Sequence, residues 1–439
     1  MVLKKIILRN LFRTFKSSEI LNKSSHALLF KLAGSFFGYL FLILITRLYG
    51  PESWGIFTIC LAILSISSMV SRAGIDIAII KFVSALSNKI SDIKGVYSIS
   101  LRIIFIFSFL FSLILYLTSD FISDQIFKQE NLSIYIKYLS FAVIPFSILN
   151  TNVSTFRGLK KIKEFAFFQH TSIYLSAIFI FLLINFILKI YHFSVPIFSY
   201  LIALSLMMII TSFRIFKIFK KVISNCAISY KTLLKTSYPM MFSSSILLLM
   251  AWSDSIMIGI FKSEYDVGIY SVALRLAMTT GIILGAVNSI LAPKISECYN
   301  NNRLNEFKKL IKHSTKIIFL TTLPVIVIMF SFSKFFLSIF GPQFVVAQYT
   351  LIILLAGQTV NAMSGSVGFI LQMTGKERVY QYILLVALFF NILLNIFLIP
   401  RYGIEGAAIA SAFSLLFWNI SSMLYIYFKY NIVTFFTFK

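Results

Sequence analysis

Charge is what this sequence has least of, and acidic charge least of all. Only 13% of its 439 residues are charged, and 15 Asp and Glu stand against 40 Lys and Arg. Soluble domains carry about 25% charged residues, so a soluble fold of this length is excluded. The few acids leave no paired carboxylates for general acid–base catalysis. The three cysteines, Cys60, Cys226 and Cys298, have no paired spacing, so neither a disulfide framework nor a metal site is indicated. The four histidines, His26, His170, His192 and His313, are scattered and make no ligand or triad pattern. There is no glycine-rich nucleotide loop, and no loop is long enough to house a catalytic domain outside a membrane. An enzyme is therefore not expected, and neither is a cofactor or a metal.

What the chain does have is apolar length. Its hydrophobic fraction is 59% and its mean hydropathy is +0.89. A run of about 18 apolar residues can cross the hydrocarbon core as a helix. Barrel strands would alternate over about 10 residues, and these runs do not alternate. The pattern predicts an all-α integral membrane protein with twelve transmembrane helices in two six-helix bundles. The spans lie near 27–48, 55–76, 97–118, 134–155, 166–188, 194–216, 238–260, 267–290, 315–337, 345–372, 379–400 and 404–428. The first follows a basic segment, lacks a small-residue cleavage pattern, and reads as a retained helix. The expected organisation is a cytoplasmic basic segment at 1–26, a first bundle at 27–221 and a cytoplasmic linker at 222–237. A second bundle at 238–428 and a cytoplasmic tail at 429–439 complete it.

Orientation follows from the distribution of Lys and Arg over alternating loops. With the N-terminus cytoplasmic, 31 of the 40 basic residues fall on the cytoplasmic side and 7 on the other, while Lys31 and Arg275 lie inside spans. A missed helix would scramble that alternation. Topogenesis and attraction to anionic membrane lipids account for the net charge of +25, so nucleic acid is not needed as a partner.

The chain repeats itself. Gly50-Pro51-Glu52-Ser53-Trp54-Gly55-Ile56-Phe57 joins spans one and two, and Phe261-Lys262-Ser263-Glu264-Tyr265-Asp266-Val267-Gly268-Ile269-Tyr270 joins spans seven and eight. Arg157-Gly158-Leu159-Lys160 after span four matches Gly375-Lys376-Glu377-Arg378 after span ten. Both offsets are a little over 210 residues. Each half holds an even number of spans, so the halves are parallel repeats. Transporters of that kind place substrate between halves that rock by alternating access.

Polar residues in membrane helices are costly and face a partner or a cavity. Span two carries Ser65, Ser68, Arg72 and Asp76 on one stripe, and span four Ser147, Asn150, Ser154 and Arg157. Span ten carries Gln358, Asn361, Gly365, Gly368 and Gln372, and span one Lys31 with Gly34 and Gly38. Such stripes suit interhelical hydrogen bonding or a shared polar cavity. Gly34/Gly38 and Gly281/Gly285 have close-packing spacing, and Pro145 and Pro324 are positioned to bend their spans. Asp254 in span seven and Arg275 in span eight lie at similar depth, about 10 Å below one surface. They are expected to pair, and two roles stand open. One is a structural ion pair. In the other, Arg275 faces the cavity while Asp254 holds it or serves as a coupling carboxylate.

Several stretches resemble one family. Thr46-Arg47-Leu48-Tyr49-Gly50-Pro51-Glu52-Ser53-Trp54-Gly55 is similar to the first hairpin of the polysaccharide biosynthesis flippases of the O-antigen transporter type. Arg72-Ala73-Gly74-Ile75-Asp76-Ile77-Ala78 resembles the end of their second helix. Trp252-Ser253-Asp254, with Val267-Gly268-Ile269-Tyr270-Ser271-Val272-Ala273-Leu274-Arg275, resembles their seventh and eighth. Phe340-Gly341-Pro342-Gln343-Phe344 and Ile399-Pro400-Arg401-Tyr402-Gly403-Ile404-Glu405-Gly406 extend the likeness over nearly the whole chain. The resemblance implies the multidrug/oligosaccharidyl-lipid/polysaccharide exporter superfamily, with two six-helix bundles. It implies that an undecaprenyl-pyrophosphate-linked oligosaccharide repeat unit is carried across a bacterial inner membrane. Partners implied with it are the polymerase and chain-length machinery of such a pathway. The alternatives are a multidrug or cation exporter of the same superfamily and a membrane polysaccharide polymerase.

By their place in the cavity, Lys31, Arg72, Arg157 and Arg275 correspond to basic residues that meet pyrophosphate in related lipid II flippases. The candidate substrate-binding set adds Asp76, Asp254, Gln358 and Asn361, with Lys81 and Lys294 near the cytoplasmic mouth. The charge bias generates a direct test. Single cysteines placed in the 157–164 and 294–316 loops should resist impermeant thiol reagents in intact cells, and labelling from outside would overturn the topology.

Overall fold

The computed structural model describes residues 19–86, 89–129, 132–220, 222–223, 228–301 and 303–436. The basic residues at positions 4–16 and Cys226 lie outside them. Among the described residues the chain is helical almost throughout, with no strand. Lipid cannot hydrogen-bond backbone amides, so apolar segments of this length close their hydrogen bonds within themselves. Eight helices are long and apolar enough to cross a membrane, or ten if each of two bent pairs forms one span.

The breaks in these helices have identifiable causes. Glu19–Arg72 contains Gly50 in a non-helical conformation (φ 79°), followed by Pro51. Glu377–Tyr430 contains Gly403 (φ 58°), preceded by Pro400. Each of these stretches has 54 residues. A straight helix of that length would run about 80 Å, well beyond a hydrocarbon core of about 30 Å. Leu132–Ser140 and Val143–Gly158 meet at 47°. Pro145 stands just past that bend, and a proline has no N–H to donate to the carbonyl four positions back, here that of Phe141. Pro324, by contrast, lies inside the unbroken helix Leu304–Ser331.

Two expected spans are interrupted at a glycine of positive φ. The second ends at Arg72, because Ala73 and Gly74 take left-handed backbone angles before Ile75–Ala85 begins. At Gly74 a side chain would collide with the Met241 backbone nitrogen, 2.8 Å from an ideal Cβ. The tenth divides at Gly365 (φ 70°), between Gln348–Ser364 and Val367–Met373. Helix ends leave carbonyls without intrahelical donors. Here distant groups supply them. Phe436 donates its backbone N–H to the Met363 carbonyl at 2.9 Å, just before the Gly365 break. Arg47 donates from Nε to Ile339 O and from Nη2 to Ser338 O, both at 2.7 Å, where Ser333–Ser338 ends.

The chain forms two compact units. One comprises the described residues up to Leu42 with Ser67–Thr118 and Ile136–Phe242. Its core joins Ile75, Ala78, Ile99, Ile103 and Leu233. A buried polar set holds three helices: Tyr97 donates to Asn152 Oδ1 (2.8 Å), and Asn152 Nδ2 donates to Thr211 (3.1 Å) and Ser212 (2.9 Å). Gly34 lets its helix meet the His170 backbone, as its close-packing spacing predicts.

The other unit comprises Ile43–Ile66, Ser119–Tyr135 and Ser243 onward. One cluster in it unites Leu291, Ile295, Phe307, Ile311, Ile370 and Ile426. The repeated loops meet inside this unit. A Cβ on Gly55 would strike the Glu264 carbonyl and approach Gly268 N to 3.0 Å. A Cβ on Gly268 would strike the Pro51 carbonyl and approach Gly55 N to 3.2 Å. The neighbours of each glycine are thus the sequence equivalents of the other's. Trp54 Nε1 donates to Ser271 Oγ at 2.6 Å beside this contact. Gly281, in contrast, has no atom within 4 Å of an ideal Cβ, so its spacing to Gly285 marks no close approach at that position.

These glycines make a stability prediction. Gly55→Leu or Gly268→Leu should cost about 1–3 kcal/mol by overpacking, read as a lower unfolding midpoint in detergent. Gly281→Ala should leave the midpoint unchanged or raise it slightly. Equal midpoints for all three variants would contradict the close contact.

Candidate functional site

The first unit arranges its polar residues around the break after Arg72. Ser68 Oγ lies 2.9 Å and Ser71 Oγ 3.1 Å from Ser147 Oγ, which ties the second stretch to the fourth. Arg72 donates from Nε to the Ser68 carbonyl (3.2 Å) and places Nη1 3.5 Å from Asp76 Oδ2. The two left-handed residues between them end one helix and start the next, so the pair closes across a break rather than along one helical face. Asn150 turns its amide to the Phe146 carbonyl. Arg157 is exposed and lies 5.3 Å from the Phe165 ring centroid. Lys31 is exposed on the first helix. No described carboxylate is within ion-pair distance of Lys31 or Arg157; the ion pairs described are Arg72–Asp76 and Arg303–Glu306.

In the second unit Asp254 is 2% exposed. Four neutral groups donate to its carboxylate. Tyr270 Oη (2.6 Å) and Ser411 Oγ reach Oδ2, while Asn391 Nδ2 (3.1 Å) and Asn395 Nδ2 (2.8 Å) reach Oδ1. Ser253 fixes Asn391 from behind, donating to its Oδ1 at 2.6 Å. The expected Asp254–Arg275 ion pair is not formed. Tyr270 faces Asp254, and Arg275 is five residues on, about 140° further round the helix. Its guanidinium lies instead 5.0 Å from the Trp54 ring centroid, a cation–π contact.

Gln358 and Asn361 are half-buried and bonded to one another: Asn361 Nδ2 donates to Gln358 Oε1 at 3.2 Å. Asn419 in turn donates to Asn361 Oδ1 at 3.3 Å. The structure thus brings Arg72 to Asp76 and Gln358 to Asn361, while Asp254 and Arg275 keep separate company. Asn391 and Asn395, at i and i+4 in an otherwise apolar run, escaped the sequence reading. Two amides one turn apart in a membrane helix were the available signal. Among the described residues there is no group of three or more His, Cys, Asp or Glu that could hold a metal.

Residues 20–299 match the family described as polysaccharide biosynthesis protein. The chain belongs to that family. Residues 239–397 also match the MatE family. The probable low-salt glycan biosynthesis flippase of Haloferax volcanii is 30% identical over 165 residues, which is 37% of this chain. That stretch spans only 35% of the relative's own length. The putative O-antigen transporter of Shigella flexneri is 24% identical over 83% of this chain and 88% of its own. The solved structure of the lipid II flippase MurJ, in an inward closed conformation, has a TM-score of 0.74 at 14% identity. It covers 92% of this chain and 87% of MurJ, a likeness of fold. This member of the polysaccharide biosynthesis family is thus a multi-pass membrane protein with a transporter fold, and the relatives named are flippases and transporters.

The Asp254 cluster is directly testable. Asp254→Ala strands four buried donors and should cost about 2–5 kcal/mol. Asp254→Asn keeps one acceptor and should lose less. Unfolding midpoints in detergent separate the two, and an Ala variant as stable as wild type would contradict the network.

Proposed function

We propose that this protein is a flippase that moves an undecaprenyl-pyrophosphate-linked oligosaccharide repeat unit from the cytoplasmic to the outer leaflet of a bacterial inner membrane. It works by alternating access and leaves the covalent structure of its cargo unchanged. The observation that carries this reading is the pair Lys31, within the first expected span, and Arg157, at the cytoplasmic end of the fourth, with no described carboxylate within ion-pair distance of either. A pyrophosphate brings the missing negative charge, and fixed cations hold it more tightly where water is scarce. Arg72, Asp76, Arg275, Gln358 and Asn361 are the further proposed contacts. Arg72 is half-neutralised by Asp76, which suits a contact that must also release.

The proposed architecture is twelve spans in two six-helix halves, 27–221 and 238–428. The 54-residue stretches broken at Gly50 and Gly403 support it, since each is long enough to cross twice. Counting each as two spans raises the ten to twelve. Both termini are then cytoplasmic, where the basic residues concentrate.

The MatE match favours a drug or cation exporter as the second reading. An organic cation needs an accessible carboxylate. Asp254 is buried under four neutral donors, which weighs against it in that role.

Cells lacking the protein should make the lipid-linked repeat unit and keep it on the cytoplasmic leaflet, while surface polysaccharide falls. Arg157→Gln, at wild-type protein level, should cut transport roughly tenfold, the loss of one charge-assisted contact. Leaflet-resolved analysis of the lipid-linked sugar is the measurement. Repeat units already on the outer leaflet of a knockout with no second flippase would refute the reading, and intact surface glycan with raised drug sensitivity would favour the exporter.

A further inference from the structure

A cleft of about 440 Å³ lies in the second unit, apart from every residue assigned above. One wall is the start of Leu304–Ser331, with Asn305, Lys308, Lys309 and Lys312. The other is Asn431, Ile432 and Val433, where the chain leaves its last helix. Asn431 takes a left-handed conformation (φ 53°) and turns the chain back. Beyond it, burial alternates: Ile432, Thr434 and Phe436 are buried, and Val433 and Phe435 are exposed. Phe436 stacks near Phe319 with ring centroids 4.3 Å apart and bonds the Met363 carbonyl at the broken helix. The second wall is thus the near end of a strap whose far end repairs that break.

The lysines are arranged at a cost. Lys308 and Lys312 are one turn apart, a like-charge spacing that destabilises a helix. No described acid lines the cleft, and Glu306 pairs with Arg303 instead. None of the three ammonium groups has an ion-pair partner among the described residues. After Lys316 the helix is uncharged to its end, so the cleft stands about 7–14 Å from the start of the apolar stretch. Headgroups reach about 5–8 Å beyond the hydrocarbon on each side, so the Lys312 end of the cleft stands at their outer edge.

We propose that this cleft binds the phosphate of an anionic phospholipid headgroup. The phosphate relieves the repulsion among Lys308, Lys309 and Lys312, and the Asn431 and Asn305 side chains offer neutral hydrogen bonds beside it. The acyl chains continue along the apolar part of the same helix. A bound headgroup also pins Asn431–Val433, and through them the strap that ends at Met363.

The test titrates full-length protein in neutral detergent with short-chain phosphatidylglycerol, phosphatidylcholine and inorganic phosphate, with native mass spectrometry counting retained lipid. Phosphatidylglycerol should bind at one site and phosphatidylcholine should not. The triple variant K308Q/K309Q/K312Q should bind about 100-fold more weakly, because each lysine near an anionic surface contributes about fivefold. The triple Lys→Arg variant should retain binding. Hydrogen exchange at 431–436 should slow on lipid addition in wild type only. Val433→Glu places a carboxylate on the exposed wall and should lose the lipid with all lysines present, which decides the matter if the Gln variant fails to fold. Wild-type retention by the variants, or equal retention of phosphatidylcholine, overturns the proposal. Displacement of the lipid by an equal concentration of inorganic phosphate overturns the lipid assignment in favour of soluble phosphate.

Discussion

Lipid supplies no hydrogen bonds, and most of the detail in this molecule answers to that. A helix crossing the hydrocarbon is self-sufficient, whereas a helix that stops inside it strands carbonyls and amides. This chain interrupts two expected spans, at Ala73–Gly74 and Gly365, and breaks between expected spans at Gly50 and Gly403. Repairs come from residues far along the chain, up to 292 positions away. Arg47 caps the carbonyls of Ser338 and Ile339, and Phe436 answers Met363. Broken helices fixed in this way hold non-helical backbone at chosen depths, and that is where a membrane protein can present polar groups without exposing them to lipid.

The same scarcity orders the charges. With so few acids, each one inside the membrane has to be accounted for. Asp254 is surrounded by hydroxyls and amides rather than by a cation, so four neutral donors satisfy its carboxyl oxygens. That leaves the arginines and lysines to other partners: an aromatic face for Arg275 and for Arg157, a carboxylate across a helix break for Arg72. A protein that neutralised its cations with its own acids would leave few of them free for any other anion. The placement of Asp254 keeps the two sets of groups apart.

Much of the fold was legible in the sequence because apolar run length and loop charge report directly on the membrane. Pro145 and Pro324 read alike as bends, but only Pro145 stands at one; Pro324 lies in an unbroken helix, so the residue alone does not decide. The interior of the second unit was harder. Depth alone suggested an Asp254–Arg275 pair, but pairing also depends on rotation about the helix axis, and the direction of Tyr270 sets that rotation. Asn391 and Asn395 were visible as letters, yet nothing local says that they converge on an aspartate 137 and 141 positions earlier. The break at Gly365 is equally non-local, since its carbonyl is repaired by a residue 73 positions on.

The reciprocal contact of Gly55 and Gly268 carries a constraint of a different kind. Matching points of two similar stretches touch each other, as they would across the two-fold axis of a homodimer. A surface of that sort is self-complementary, so neither copy can enlarge its residue without the other yielding ground. Elsewhere the two similar stretches are free to drift apart. At this point they share a boundary, and the sequence around Gly55 and Gly268 has the same three-residue shape, glycine, isoleucine and an aromatic, in both.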